Sequence, residues 1–152
     1  MTKKVCPTPG FEKLLVATDG SEFSNAAVRE AIKIAGTCSS RLFVLLVFEI
    51  SAEVELWDAL STEKLEAQLR KYLDGIIKNA AKQGVQCEAI MHLGNEPYKD
   101  IVSEAKKRKV NTIIMGSHGR TGLTRLMMGS VVSRVIGHAH CKVLVVPATV
   151  KK

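Results

Sequence analysis

Long apolar runs are missing from this 152-residue chain: none approaches the ~20 residues of a membrane span. The opening Met1-Thr2-Lys3-Lys4-Val5-Cys6-Pro7 carries lysines with no apolar stretch behind them. No secretory signal is therefore expected, and a cytoplasmic location is the default. Cysteine is sparse: Cys6, Cys38, Cys87 and Cys141 form no C-x-x-C and no pair at zinc-ligand spacing, which argues against a metal or thiol-redox centre. Four free thiols are the expectation, with Cys87 and Cys141 as small core hydrophobes at strand starts. Acids are absent from both ends. Without Lys3, Lys4, Lys151 and Lys152, 18 cations face 15 acids, and the net charge of +7 falls to +3. Aromatics make up only 5%, and none interleaves with the basic run Lys106-Lys107-Arg108-Lys109. That run reads as a solvated helix end, where cations complement the dipole, and nucleic acid is not an expected partner. No G-x-x-x-x-G-K-[ST] is present, so there is no P-loop, and the first strand-to-helix turn has too few glycines for a dinucleotide fingerprint. Repeats, linkers and low-complexity segments are lacking too.

What is present is a chain with 46% hydrophobic and 24% charged residues, suited to one domain with a substantial core. Strand-like and helix-like segments alternate along it. Lys13 to Thr18 is a first strand closed by Asp19-Gly20-Ser21. A helix from about Ser24 follows, with Ala27, Ala31 and Ile34 on one face and Gly36 as its stop. Leu42 to Phe48 is apolar throughout, as befits a strand covered on both faces. Glu49 to Leu60, with Val54, Leu56 and Trp57, has no clean period and reads as an irregular connection. Ser61 to Gln83 repeats Leu65, Leu69, Leu73, Ile76 and Ala80 at helical spacing, and Gly84 ends it. The more mixed Val85 to Leu93 predicts an edge strand. Pro97 opens a third helix running to about Lys109. Asn111 to Met115, a helix ending near Ala139, and Lys142 to Val146 before Pro147 complete the order. Residues 1–11 and 149–152 read as frayed tails, with one domain over 12–148. The alternation implies an α/β fold with a parallel sheet covered on both faces. Such sheets bind ligands beyond the carboxyl ends of the strands, where the winding reverses.

Two turns are equipped for that position. One is Asp19-Gly20-Ser21. The other is Gly116-Ser117-His118-Gly119, followed nine residues later by Gly129-Ser130 and a helix-like run from Val131. Glycines admit an anion close to the backbone, a helix start offers unpaired N–H groups, and Ser130 adds a hydroxyl. The pattern points to a polyphosphate held by main chain instead of by a lysine. Asp19 reads either as a turn residue or as a ligand of a ribose or a metal. Arg120 is placed to contact a terminal phosphate. No carboxylate partner for His118 is evident, so no residue is assigned a catalytic role. Leu123, Leu126, Met127 and Met128 in the spacer read as a short helix packed on the sheet. Val143 to Val146, as a last strand, is an edge that invites pairing with a second copy.

On these residues the chain resembles the nucleotide-binding universal stress proteins, over about Phe11 to Pro147. The family's G-x-x-G, nine residues, G-S/T signature is matched by Gly116, Gly119, Gly129 and Ser130. Leu15-Val16-Ala17-Thr18-Asp19-Gly20-Ser21 and Val143-Leu144-Val145-Val146-Pro147 are equally typical. Asn111 stands where the family usually has aspartate, and Lys142 where a proline is common. The resemblance implies a single Rossmann-like domain, a five-stranded parallel sheet in the order 3-2-1-4-5, and a homodimer through the last strand. It also implies ATP, or ADP or AMP, with a divalent cation (Mg2+ or Mn2+) carried on the phosphates near Asp19. Ala17, Thr18 and Val47 would line the adenine wall. Met115, Gly116, Ser117, His118 and Gly119 would approach ribose and phosphates, and Gly129, Ser130 and Val131 would complete the cradle. The function implied is an ATP-binding dimeric switch in stress response. A slow ATPase and a nucleotide-free dimeric scaffold are the other two readings.

Overall fold

A strand with apolar side chains pointing both ways has to be covered twice, and the central strands of this chain are of that kind. The computed structural model describes residues 6, 8–49, 59–118 and 129–147, with 59–61 described by backbone alone. Within them run β1 (Lys13–Thr18), α1 (Glu22–Cys38), β2 (Arg41–Glu49), α2 (Ala59–Lys82), β3 (Cys87–Gly94), α3 (Pro97–Lys107), β4 (Thr112–Gly116), α4 (Ser130–His138) and β5 (Lys142–Val146). The five strands form one sheet in the order β3-β2-β1-β4-β5, parallel throughout. Fold class, sheet order and the edge position of β3 are as expected.

Strand parity divides the core. Leu14, Val16, Leu42, Val44, Leu46 and Ile114 pack with α1 and α2. Leu15, Ala17, Phe43, Leu45, Val47, Ile113 and Met115 pack with α3 and α4. In α1 the buried Ala27, Ala31 and Ala35 lie one turn apart and bring the helix close to the sheet. In α2 the heptad-like Leu69, Leu73, Ile76 and Ala80 are buried as their spacing required.

Several boundaries differ from expectation, each for a local reason. Helix α1 passes through Gly36 and ends at Cys38. What stops it is Ser39, at a left-handed φ of 53°, with the Ser39 and Ser40 N–H groups both donating to the Ala35 carbonyl. Strand β3 starts at Cys87 because Val85 still belongs to the turn closing α2, its N–H donating to Ala80 O. Helix α3 stops at Lys107, and Lys109 takes a left-handed φ of 56°. Arg108, expected to face water, turns inward: its Nε donates to Glu104 (2.9 Å) and its guanidinium reaches Glu88 (3.2 Å). Arg108 and Arg41 also both lie within 5.0 Å of the Phe43 ring centroid.

Two expectations about the ends are corrected. Residues 8–11, taken as frayed, form a strap across the amino ends of the strands. Thr112 Oγ1 donates to Gly10 O (2.7 Å), Ser40 Oγ donates to Phe11 O, Arg41 N donates to Glu12 O (2.9 Å), and Phe11 packs on the core. Asn111, the residue departing from aspartate, accepts the Lys13 N–H at 2.8 Å, a bond either side chain could make. Cys6 and Cys38, taken as free thiols, are joined by a disulfide, while Cys87 and Cys141 are free. Linear spacing hid that pair because the strap folds back onto the end of α1.

Candidate functional site

At the carboxyl end of the sheet the central ladder opens. β1 pairs with β4 only from Leu14↔Thr112 to Val16↔Ile114, although both strands continue for two more residues. Their outer neighbours stay paired to the end: Thr18↔Leu46 and Gly116↔Val146 are both in register. β1 leads into α1 on one face and β4 toward α4 on the other, so the strands part where the winding reverses. The crevice has a volume of about 380 Å³, within the range of small-molecule sites.

One wall is apolar. Ala17, Val47 and Met115, three adjacent strand ends of equal parity, meet Ile101 and Pro97 from the first turns of α3. Thr18, Asp19 and Ser24 form the side toward α1, and Phe48 and Glu49 the end of β2. Gly116, His118, Gly129, Ser130, Val131 and Val132 close the far end. The structure thus brings together Ala17, Thr18, Asp19, Val47, Met115, Gly116, His118, Gly129, Ser130 and Val131, all singled out from sequence. Gly119, Arg120, the spacer residues Leu123, Leu126, Met127 and Met128, and the segment with Val54, Leu56 and Trp57 lie outside the described residues. Pro97, Ile101, Ser24 and Val132 were not anticipated. A helix start following β3 was the available signal for Pro97, and the i, i+4 step from it for Ile101.

Backbone packing also shapes the two glycine turns. A Cβ on Gly116 would stand 3.2 Å from Phe23 O and 3.3 Å from His118 O. Its bare backbone admits the first turn of α1, so packing by itself favours a residue without a side chain here. Ser117 braces the loop: its N–H donates to Val146 O (3.0 Å) and its carbonyl accepts from Gly129 N (2.9 Å). The Ser117 and Gly129 amides are therefore committed internally. Ser117 Oγ also shares a hydrogen bond with His118 Nδ1 at 2.8 Å. Helix α4 starts at Ser130 with Gly129 as cap and no side-chain cap bond. The first N–H groups of a helix have no carbonyl behind them to reach. Among the described residues no partner is seen for the N–H groups of Ser130, Val131 and Val132, and all three residues line the crevice.

The opposite loop is held by hydroxyls. Thr18 Oγ1 lies 2.8 Å from Ser24 Oγ and 3.0 Å from Tyr72 Oη, and accepts the Gly20 N–H at 3.1 Å. Tyr72 donates to Asn25 Oδ1 at 2.6 Å, and Ser24 Oγ donates to Ser21 O. Burial, more than any other influence, pushes the Tyr72 phenol above its ordinary value of 10.0, so it acts as a neutral donor. Tyr72 comes from the middle of α2, and no spacing in the sequence linked it to Thr18. Asp19 Oδ1 accepts the Ser21 N–H at 2.9 Å. Asp19 is thus both turn residue and crevice residue. Among the described residues no group of three or more His, Cys, Asp or Glu could hold a metal.

Comparison with known proteins bears on this site. The model of the Universal stress protein family matches residues 10–147. A universal stress protein of Methanocaldococcus jannaschii is 38% identical, with 90% of this chain and 82% of the relative covered. One from Bacillus subtilis is 32% identical, with 90% and 99% covered. Among solved structures, the hypothetical protein MJ0577 superposes with a TM-score of 0.80 at 29% identity, covering 93% of this chain and 99% of that one. A universal stress protein in complex with cAMP has a TM-score of 0.65 at 24% identity, covering 91% and 98%. One from Archaeoglobus fulgidus in complex with dAMP has a TM-score of 0.63 at 21% identity, covering 89% and 97%.

Proposed function

This chain belongs to the universal stress protein family, and from that premise and the crevice we propose that it binds an adenine nucleotide, ATP foremost, as a switch in stress response. What supports the reading most is the start of α4: Ser130, Val131 and Val132, the first turn at a positive dipole end, line a crevice whose other wall is apolar. A purine suits the slot between Ala17, Val47, Met115 and Ile101, and a phosphate chain suits the donors. Relatives of this fold in complex with cAMP and dAMP support the class of ligand. Asp19 is positioned for the ribose or for a cation. With one carboxylate already shared with Ser21, such a cation would be carried mainly by the phosphates. Occupancy would fill the crevice and so alter a surface seen by a partner. A second copy pairing along Val143 to Val146 would make the switch a dimer.

Calorimetry with Mg·ATP tests the reading, with Ser130→Pro as the diagnostic variant. Proline is tolerated at the first helical position, and Gly129 already has an extended ψ of 150°, which a following proline requires. The substitution removes the Ser130 amide N–H together with its hydroxyl and leaves the helix standing. The native chain should bind in the micromolar range, and the variant about tenfold more weakly for ATP, with adenosine affinity unchanged. A flat titration of the native chain, or equal loss of ATP and adenosine, sinks the proposal.

A further inference from the structure

The disulfide lies at the far end of α1 from the crevice. Ser24 in the first turn lines the site, Cys38 is the last residue, and the helix between them is about 21 Å long. Cys38 and Cys6 are both partly exposed, so small oxidants and reductants reach them. The strap needs no help from sulfur to stay in place, since Gly10, Phe11, Glu12 and Lys13 are each bonded to the amino ends of the strands or the turns before them. Opening the disulfide would therefore leave Cys6 on a tether of four residues from Gly10, about 14 Å at full extension, so the two thiols could meet again, which is what a reversible pair requires. The other thiols are placed otherwise. Cys87 and Cys141 are each unpaired, and burial pushes the Cys87 thiol up to about 11 and raises that of Cys141, leaving both protonated and poorly nucleophilic.

We infer that Cys6 and Cys38 are a thiol-oxidation site, closed to a disulfide by hydroperoxides and reopened by small thiols, that clasps the amino-terminal strap to the end of α1. In the closing step one thiolate attacks the peroxide O–O bond. It becomes a sulfenic acid, and the peroxide leaves as water after taking up a proton. The second thiolate attacks the sulfenic sulfur, the S–S bond forms, and the hydroxyl leaves as a second water. Two thiols lose two electrons in all, and one peroxide gains them. In a reducing compartment the pair rests open, so closure reports oxidant. The inference is independent of what the crevice holds.

The full-length protein is first reduced with dithiothreitol, then divided and treated or not with hydrogen peroxide. Free thiols are blocked with N-ethylmaleimide in denaturant, and adducts are counted by intact mass. The reduced sample should take four adducts and the oxidised sample two, with a peptide linking Cys6 to Cys38. Closing a loop of this length restricts the unfolded chain and should raise the Tm by about 5–10 °C. Cys38→Ser and Cys6→Ser should each lose that peroxide-dependent shift and keep the Tm of the reduced native chain within about 2 °C. Four adducts after peroxide, a crosslink to Cys87 or Cys141, a sulfinic acid in place of the crosslink, or an unchanged Tm would each overturn the assignment.

Discussion

Gly116 shows how a residue can sit in a binding signature for a packing reason. A Cβ there would press on the carbonyls of Phe23 and His118 at 3.2 and 3.3 Å, so the loop and α1 approach by main-chain contact. Glu104 is the counterpart on the other face, a carboxylate 7% exposed on α3. It is held between His92 Nε2 and Arg108 Nε, each at 2.9 Å. Burial alone would raise its pKa. The hydrogen bonds from Arg108 and His92 together outweigh that and bring it below the usual 4.5. A carboxyl lowered in the folded state adds stability above its unfolded value and loses it as the pH falls through the folded one. Glu104→Gln should therefore cost about 1–3 kcal/mol at pH 7. Urea midpoints of the two proteins should converge as the pH drops below 4.5. A gap that stays constant with pH would show that the charge on Glu104 is not what holds the cluster.

At the scale of elements, α1 is the piece on which the site depends. It carries Ser24 at one end and Cys38 at the other, and its alanine stripe sets its distance from β1 and β4. Ala31 is fully buried, so Ala31→Leu has no free volume to enter. The substitution should destabilise by about 1–3 kcal/mol by urea unfolding, through forced shifts of helix and sheet. It should also weaken nucleotide binding, because Thr18 and Ser24 meet across the junction that would move. A neutral result would mean that α1 is not held as tightly as its alanines require. Helix α4 contributes differently: its first turn lines the crevice, and its glycine cap makes no side-chain bond to the amides there.

At the scale of the whole molecule, the two edges of the sheet are unequal. On β3 Leu93 is exposed, but the other edge residues are polar or partly covered, and Glu88 pairs with Arg41 of the neighbouring β2 and with Arg108. On β5 the partly exposed Val143, Leu144, Val145 and Val146 run consecutively, and Leu144 and the nearby α4 residue Ile136 are large exposed hydrophobics. A two-fold pairing of β5 with its own copy would remove that edge from water. Sedimentation velocity should find a dimer for the native chain and a monomer for Leu144→Glu, with the far-UV spectrum unchanged. A native monomer at tens of micromolar would refute pairing through this strand.

The order of strands and helices, the two-faced core and the parallel sheet were legible in sequence, because hydrophobic period is a local property that each segment carries by itself. Most of the crevice wall was reached through the family resemblance, which implied Ala17, Val47 and Met115, while Gly129-Ser130 before a helix-like run was legible from the residues themselves. Contacts between distant segments were not. Tyr72 reaches Thr18 from the middle of α2, Arg108 turns from solvent to Glu104 and Glu88, and Cys6 meets Cys38 only once the strap is laid across the strand starts. Which amides remain for a ligand was likewise decided in three dimensions, where Ser117 takes the Gly129 N–H and Val146 takes that of Ser117. Sequence determines which groups are available. Only tertiary structure decides which of them are already satisfied, because a hydrogen bond or a disulfide depends on distances between residues that the chain order does not contain.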